Sequence, residues 1–328
     1  MQISLTQGVF MKHCFLINPA AGKGTLQNAL EHKIRQAAES RGLDYQIHRT
    51  TGTGEATLYV RRVCADGMPV RFYACGGDGT LQETVVGALG APHTQITVIP
   101  CGSGNDFVRS FENPEQFSSI ECQLDGVPYP CDLLRVNDRY AVNLCNVGFD
   151  ADIAYDMNKF KNLPFISGST AYNLALVYNL LKPLGKRVSV QLDTHTPATV
   201  NTLLVAAANG RFYGGGYQAA PLARMDDGIL DVCRVDKLSR FRIAGFVRFY
   251  KRGEHLQTSG IQDVIHYDKC KSVRIQSVRP YRYILDGESY LSNDVTVELL
   301  PKAFTLSIPK GCLTRQADEK TGAVPIGT

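Results

Sequence analysis

The sequence predicts two parts, an α/β N-terminal domain built on a parallel sheet covered by helices and an all-β sandwich C-terminal domain. Three observations carry this expectation. As far as Asp125, apolar runs of strand length alternate with segments of helical periodicity, the pattern of a helix-covered parallel sheet. Beyond Asp125, short apolar runs follow one another between turn residues, the texture of an antiparallel sandwich. Two glycine-rich turns, after Ala74-Cys75 and after Pro100-Cys101, each end a strand-like run, and such turns on consecutive strands lie side by side at the carboxyl edge of a parallel sheet. A chain of 328 residues, 44% apolar and 20% charged, is long enough for two separate cores and has a globular composition.

The first strand is expected over Lys12 to Ile17, ending in Asn18-Pro19-Ala20-Ala21-Gly22-Lys23-Gly24-Thr25. That turn imitates a P-loop without matching it, since glycine follows Lys23 where a P-loop has Ser or Thr. Leu26, Leu30, Ile34 and Ala37 recur at helical spacing until Gly42 stops the helix. Leu43, Tyr45 and Ile47 alternate as a second strand, and Thr50-Thr51-Gly52-Thr53-Gly54-Glu55 then opens a helix to Cys64. A threonine in that place is by default a helix cap.

Val70 to Ala74 is the third strand. It runs into Gly76-Gly77-Asp78-Gly79-Thr80, after which Leu81, Val85, Val86 and Leu89 recur at helical spacing. Three glycines leave the backbone bare, so amides can approach a phosphate while the helix directs its positive end at it. Asp78 is the only charge there and would repel phosphates, which suggests Mg²⁺ between them or a proton-accepting role. Ile96 to Ile99 is the fourth strand and leads to Gly102-Ser103-Gly104-Asn105-Asp106. One glycine turn is as well explained as a tight connection; the pair points to a phosphate site.

In the second half, strands are expected over Tyr129 to Val136, Tyr140 to Val147, Arg187 to Leu192, Val200 to Ala207, Ile229 to Val235, Ser272 to Gln276, Tyr281 to Leu285 and Val295 to Leu300. Two acidic motifs interrupt them, Met225-Asp226-Asp227-Gly228-Ile229 and Asp286-Gly287-Glu288. Without further context each is a β-turn or hairpin tip built on Asp-Gly.

Taken together, the two glycine turns, the Gly214-Gly215-Gly216-Tyr217 to Asp231 stretch and Asp286-Gly287-Glu288 resemble the diacylglycerol kinase catalytic family, which includes bacterial lipid kinases and sphingosine kinases. The resemblance runs from about Lys12 to about Pro309. It implies a nucleotide-binding domain of residues 1–130 and 308–328, and a lipid-substrate and metal-binding sandwich of residues 131–307. It implies ATP against Asn18, Thr50, Gly76, Gly77, Asp78, Gly79, Thr80, Leu81, Gln82 and Ser103, with Gly102, Ser103, Gly104, Asn105 and Asp106 on the substrate side. Mg²⁺ would take the Asp227 carboxylate and the carbonyls of Arg224 and Ile229. The catalytic carboxylates would be Glu288, Asp286 and Asp78, with Glu288 as proton acceptor in bacterial members and Asp78 favoured in sphingosine kinases. The chain departs from the family at Glu55, where His or Asp is frequent.

Composition narrows the alternatives. A net charge of +4 without an interleaved basic and aromatic stripe gives no reason to invoke nucleic acid. The ten cysteines never fall as Cys-x-x-Cys and read as buried free thiols of a reducing cytoplasm. The uncharged run Asn162 to Leu181 has the length of a membrane span, but its Pro164, Gly168 and several polar residues argue against insertion. Lys237 to Arg252 holds six basic residues and no acid, with Ile243, Phe246, Val247 and Tyr250 on one helical face, and suits either an anionic membrane surface or core packing with a solvated rim. The expectation is a cytoplasmic, ATP- and Mg²⁺-dependent lipid kinase, peripheral at the inner membrane face, that phosphorylates a lipid alcohol such as diacylglycerol. An NAD kinase and a non-catalytic lipid-binding module are the alternatives, and a homodimer is compatible with such a sandwich.

Overall fold

A computed structural model describes residues 11–24, 27–161 and 168–312. The described residues divide into two compact units, one within 11–108, 113–131 and 303–312, the other within 109–112 and 132–302. The expected turn residue Thr25, the first part of the uncharged run (162–167) and the tail from Thr314 lie outside the described residues.

The first unit carries β1 (Lys12–Ile17), α1 (Gln27–Ser40), β2 (Tyr45–Arg49), α2 (Glu55–Cys64), β3 (Val70–Gly76), α3 (Asp78–Ala88), β4 (Thr94–Pro100) and the short α4 (Ile120–Leu124). Its strands are parallel in the order β4-β3-β1-β2. β3 is buried along its whole length, as a central strand covered on both faces must be, and this is why its sequence is a continuous apolar run. Phe15, Ile17, Tyr73, Cys75 and Ile99 pack with Ile34 of α1 to make the core. α1 stops where the sequence places its stop, with Gly42 at φ 61°.

The second unit holds the remainder of β5 (Val127–Val136), then β6 (Arg139–Ala141), β7 (Leu144–Gly148), α5 (Phe149–Lys161), α6 (Gly168–Leu181), β8 (Lys186–Leu192), β9 (Ala198–Ala208) and the two-residue β10 (Phe212–Tyr213) and β11 (Tyr217–Gln218). β12 (Leu230–Asp236), α7 (Arg240–Arg252), β13 (Ile265–Cys270), β14 (Ser272–Leu285) and β15 (Glu288–Ile308) complete it, β15 passing into the first unit at Ala303. The strands pair antiparallel, β13-β12-β9-β7-β14-β15, with β8 against both β9 and β14. Alternation along β9 splits the apolar side chains into two cores: Val205 and Ala207 face one, Ala206 and Ala208 the other.

Three differences from the sequence-based expectation have physical causes. The run Tyr140 to Val147 is two strands, because the amides of Val142, Asn143 and Leu144 all donate to the Asp286 carboxylate and not to a neighbouring strand. The runs 272–276 and 281–285 are one strand whose register shifts between Gln276 and Tyr281. Most importantly, the second unit is not all strand: α5, α6 and α7 pack on the second core. Among the described residues no helix is long and apolar enough to cross a membrane.

Candidate active site

The two glycine turns come together in the first unit. Gly77 and Gly102 meet backbone to backbone, so closely that a Cβ on Gly102 would sit 2.5 Å from the Gly77 Cα. The Cys101 amide donates to the Gly76 carbonyl at 2.8 Å. Asp78 closes the pair: its two carboxylate oxygens accept the amides of Asp106 and Phe107, each at 3.0 Å. Asn105, at φ 51°, holds its own turn by accepting the Gly102 amide and donating to the Gly102 carbonyl. Replacing Gly102 by alanine should therefore cost about 1–3 kcal/mol by overpacking and raise KM for ATP; thermal unfolding and an ATP titration check both.

The other residues expected at the nucleotide lie at the carboxyl ends of the strands, around this contact. Asn18, at the end of β1, donates to the Thr80 hydroxyl at 3.0 Å. Thr50, at the end of β2, is buried, and its amide donates to the Ile17 carbonyl. Leu81 is a core side chain with its amide on the Gly77 carbonyl, so a role for it at the nucleotide is indirect, through the helix it anchors. Gly79 and Ser103 are exposed. The amides at the start of α3 are oriented for an anion in the way helix N-termini generally are. Glu83, which the sequence reading passed over, accepts the amides of Gly54 (2.8 Å) and Ala56 (3.2 Å) and so fixes the turn after Thr50. Its signal was the spacing: it lies five residues after Asp78, on the same helix.

In the second unit Asp286 and Glu288 stand at a hairpin tip and have different environments. Asp286, at φ 43°, takes three backbone amides on its carboxylate. These three bonds make it a strut that fixes the backbone of residues 142–144 beside the hairpin. Glu288 is exposed, and the Tyr290 hydroxyl donates to its Oε2. Burial first, and then the Glu288 carboxylate, push the Tyr290 phenol up to about 12, so it stays a donor near neutral pH. Arg139 lies 4.2 Å from the Tyr290 ring centre and holds it in place.

The segment expected to hold Mg²⁺ forms a tight Asp-Gly turn. The Asp227 carboxylate accepts the Ile229 amide at 3.0 Å, and Gly228 between them has φ 68°. Beneath it the fully buried Asp132 accepts the amides of Gly228 and Lys302, both at 2.7 Å. Burial raises the Asp132 pKa, backbone donors oppose this, and the nearby Asp227 and Asp226 add to the rise. A divalent cation would relieve that crowding of acids. One carboxylate and two carbonyls are hard oxygen donors of the kind Mg²⁺ takes, and the residues present fit it. Among the described residues no three His, Cys, Asp or Glu side chains gather as a metal site, so the carbonyls of Arg224 and Ile229 would be needed. The Arg224 guanidinium is engaged elsewhere, 3.3 Å from Asp226.

The sequence reading also missed Asp132 and Asp150, acids set in apolar runs. Asp150 accepts the Tyr213 hydroxyl beside a cavity of about 10 Å³, room for about one water, lined by Tyr172, Tyr217, Phe246 and Tyr250. Burial pushes its carboxyl up from the usual 3.8 to about 6, against the pull of the Tyr213 donor. A folded-state pKa raised in this way contributes stability that is fully present below about 3.8 and lost as pH rises through about 6. Asp150→Asn should remove about 1–3 kcal/mol of that pH dependence, so that variant and wild type diverge in the variant's favour between pH 4 and pH 7. Denaturant unfolding at the two ends of that window is the measurement.

Comparison with known proteins matches the chain to two family models: a diacylglycerol kinase catalytic domain over residues 12–136 and a YegS C-terminal NAD kinase beta sandwich-like domain over residues 143–308. The chain is 27% identical to a diacylglycerol kinase of Staphylococcus carnosus, over 83% of this chain and 87% of that one. It is 28% identical to a diacylglycerol kinase of Bacillus subtilis, over 85% and 90% respectively. The fold matches a crystal structure of a diacylglycerol kinase from Bacillus anthracis str. Sterne with a TM-score of 0.66, at 23% identity over 91% of this chain and 97% of that one.

Proposed function

Since the chain belongs to the diacylglycerol kinase catalytic family, we propose that it transfers the γ-phosphoryl group of ATP to the hydroxyl of a membrane lipid alcohol, with diacylglycerol giving phosphatidic acid as the foremost reaction. The observation that carries this reading is the backbone contact of Gly77 with Gly102, clamped by Asp78, which sets two amide-bearing turns at one strand edge. The names borne by the relatives from Staphylococcus and Bacillus support the choice of diacylglycerol.

In this mechanism the turns of the first unit bind the phosphates through backbone donors and leave the γ-phosphoryl group presented for in-line attack. Glu288, exposed and oriented by Tyr290, accepts the proton of the attacking hydroxyl. Asp78 and Asp286 are positioning carboxylates: the first joins the turns, the second fixes the hairpin that carries Glu288. Mg²⁺, which Asp227 and the carbonyls of Arg224 and Ile229 would hold, would supply fixed positive charge to offset that of the phosphates. A membrane-lipid substrate and a cytoplasmic nucleotide together support a reading in which the protein works at the cytoplasmic face of the inner membrane.

Purified protein incubated with labelled ATP, Mg²⁺ and a panel of lipids tests the assignment. Labelled phosphatidic acid, formed only with diacylglycerol and lost on chelation of Mg²⁺, is expected. Label in another lipid would correct the substrate; NADP formation from NAD, or no ATP consumption with any lipid, would overturn the reading.

A further inference from the structure

α6 breaks the rule for a surface helix. Its inner side, Ala175 with Tyr172, Leu176 and Leu180, packs on the second core, and Ala171 is buried on the same side. Its outer side should be polar, yet it exposes Leu174 (39%), Val177 (56%), Tyr178 (42%) and Leu181 (75%), a stripe at i, i+3, i+4 and i+7. No charged residue occurs in the helix. Phe241, at the start of α7, is 94% exposed. It adjoins the same stripe, because its neighbour Arg240 donates to the carbonyls of Leu180 (2.6 Å) and Lys182 (3.2 Å) at the end of α6. The apolar side of α7 itself, Ile243, Phe246 and Tyr250, is core, so that helix does not offer it to a bilayer.

Cations rim the stripe. Lys182 and Lys159 sit 4.3 and 5.8 Å from the Tyr178 ring centre, both held by the buried Asp156 at 2.5 and 2.7 Å. Arg240 stands at one end and Arg282, over the ring of Tyr155, belongs to the same surroundings of α5. Resting on the lipid-kinase reading above, we infer that the outer side of α6 together with Phe241 inserts into an anionic bilayer surface, with Lys159, Lys182 and Arg240 against lipid phosphates. A helix of 14 residues is about 21 Å long and cannot cross a hydrocarbon core of about 30 Å, so it lies in the plane of the interface. Charge selects the bilayer over a second copy of the chain: a two-fold contact through this face would bring its lysines against their own kind. Apolar side chains ringed by cations match acyl chains beneath phosphates.

Leu181→Ser combined with Phe241→Ser tests this, since both side chains are exposed and neither is in the catalytic machinery. Binding to mixed phosphatidylglycerol and phosphatidylcholine vesicles, read by co-sedimentation, should weaken roughly tenfold or more. Wild-type binding should also fall with added salt and be weak to phosphatidylcholine alone. Phosphorylation of short-chain diacylglycerol in detergent micelles should be unchanged. Wild-type vesicle affinity in the double variant would overturn the inference, as would a wild-type dimer that the variant dissociates. A wild-type protein that binds vesicles through this face yet phosphorylates no lipid would sink the kinase reading alone.

Discussion

Glu288→Gln should lower kcat by about 10²–10⁴-fold, the usual contribution of a positioned proton acceptor, while KM for ATP and the unfolding temperature stay near wild type. The reason is local. Glu288 is exposed at a hairpin tip, and glutamine keeps its length and its ability to accept the Tyr290 hydroxyl. What it loses is the capacity to take a proton. The hairpin itself is held by Asp286 through three backbone amides and does not depend on Glu288. Steady-state kinetics with diacylglycerol in micelles measure the effect; a variant within threefold of wild-type kcat would remove Glu288 from the chemistry.

Asp78→Asn should fail differently. An amide offers one acceptor oxygen, and its NH₂ would face an amide N–H, so one of the two bonds to Asp106 and Phe107 is lost outright. Hydrogen bonds to a charged group are worth about 1.5–3 kcal/mol each, so unfolding should be easier by roughly that amount. Loosening of the turns should raise KM for ATP and reduce kcat/KM by about 10²–10³-fold, the loss seen when one preorganised donor set is disturbed. A nucleotide-binding titration separates the two variants: Glu288→Gln should bind ATP as wild type does and Asp78→Asn should not.

The parallel sheet and both glycine turns were legible because their signals are local: apolar runs of strand length ending in clustered glycines. The meeting of Gly77 with Gly102 follows from adjacent strands. The strut role of Asp286 was not legible, because its partners, residues 142–144, are far away in sequence and look like ordinary strand. The same holds for Asp132 under the turn at Gly228. α5 was missed although Phe149, Ile153, Met157 and Phe160 carry helical spacing, since the neighbouring β-rich texture set the expectation for the whole second half. α6 was weighed as a membrane span for a sound reason: it has no charge on any side. Its inner side packs on a core, and only its outer side is open to a different environment.

The closeness of Gly77 and Gly102 also restricts how this protein can be retuned. With a Cβ on Gly102 only 2.5 Å from the Gly77 Cα, any side chain added there forces the two turns apart. If the turns hold ATP as proposed, a change of nucleotide preference enters more readily from the rim than through Gly102, and Ser103, exposed beside the contact, is the position where a library of replacements should first return altered selectivity.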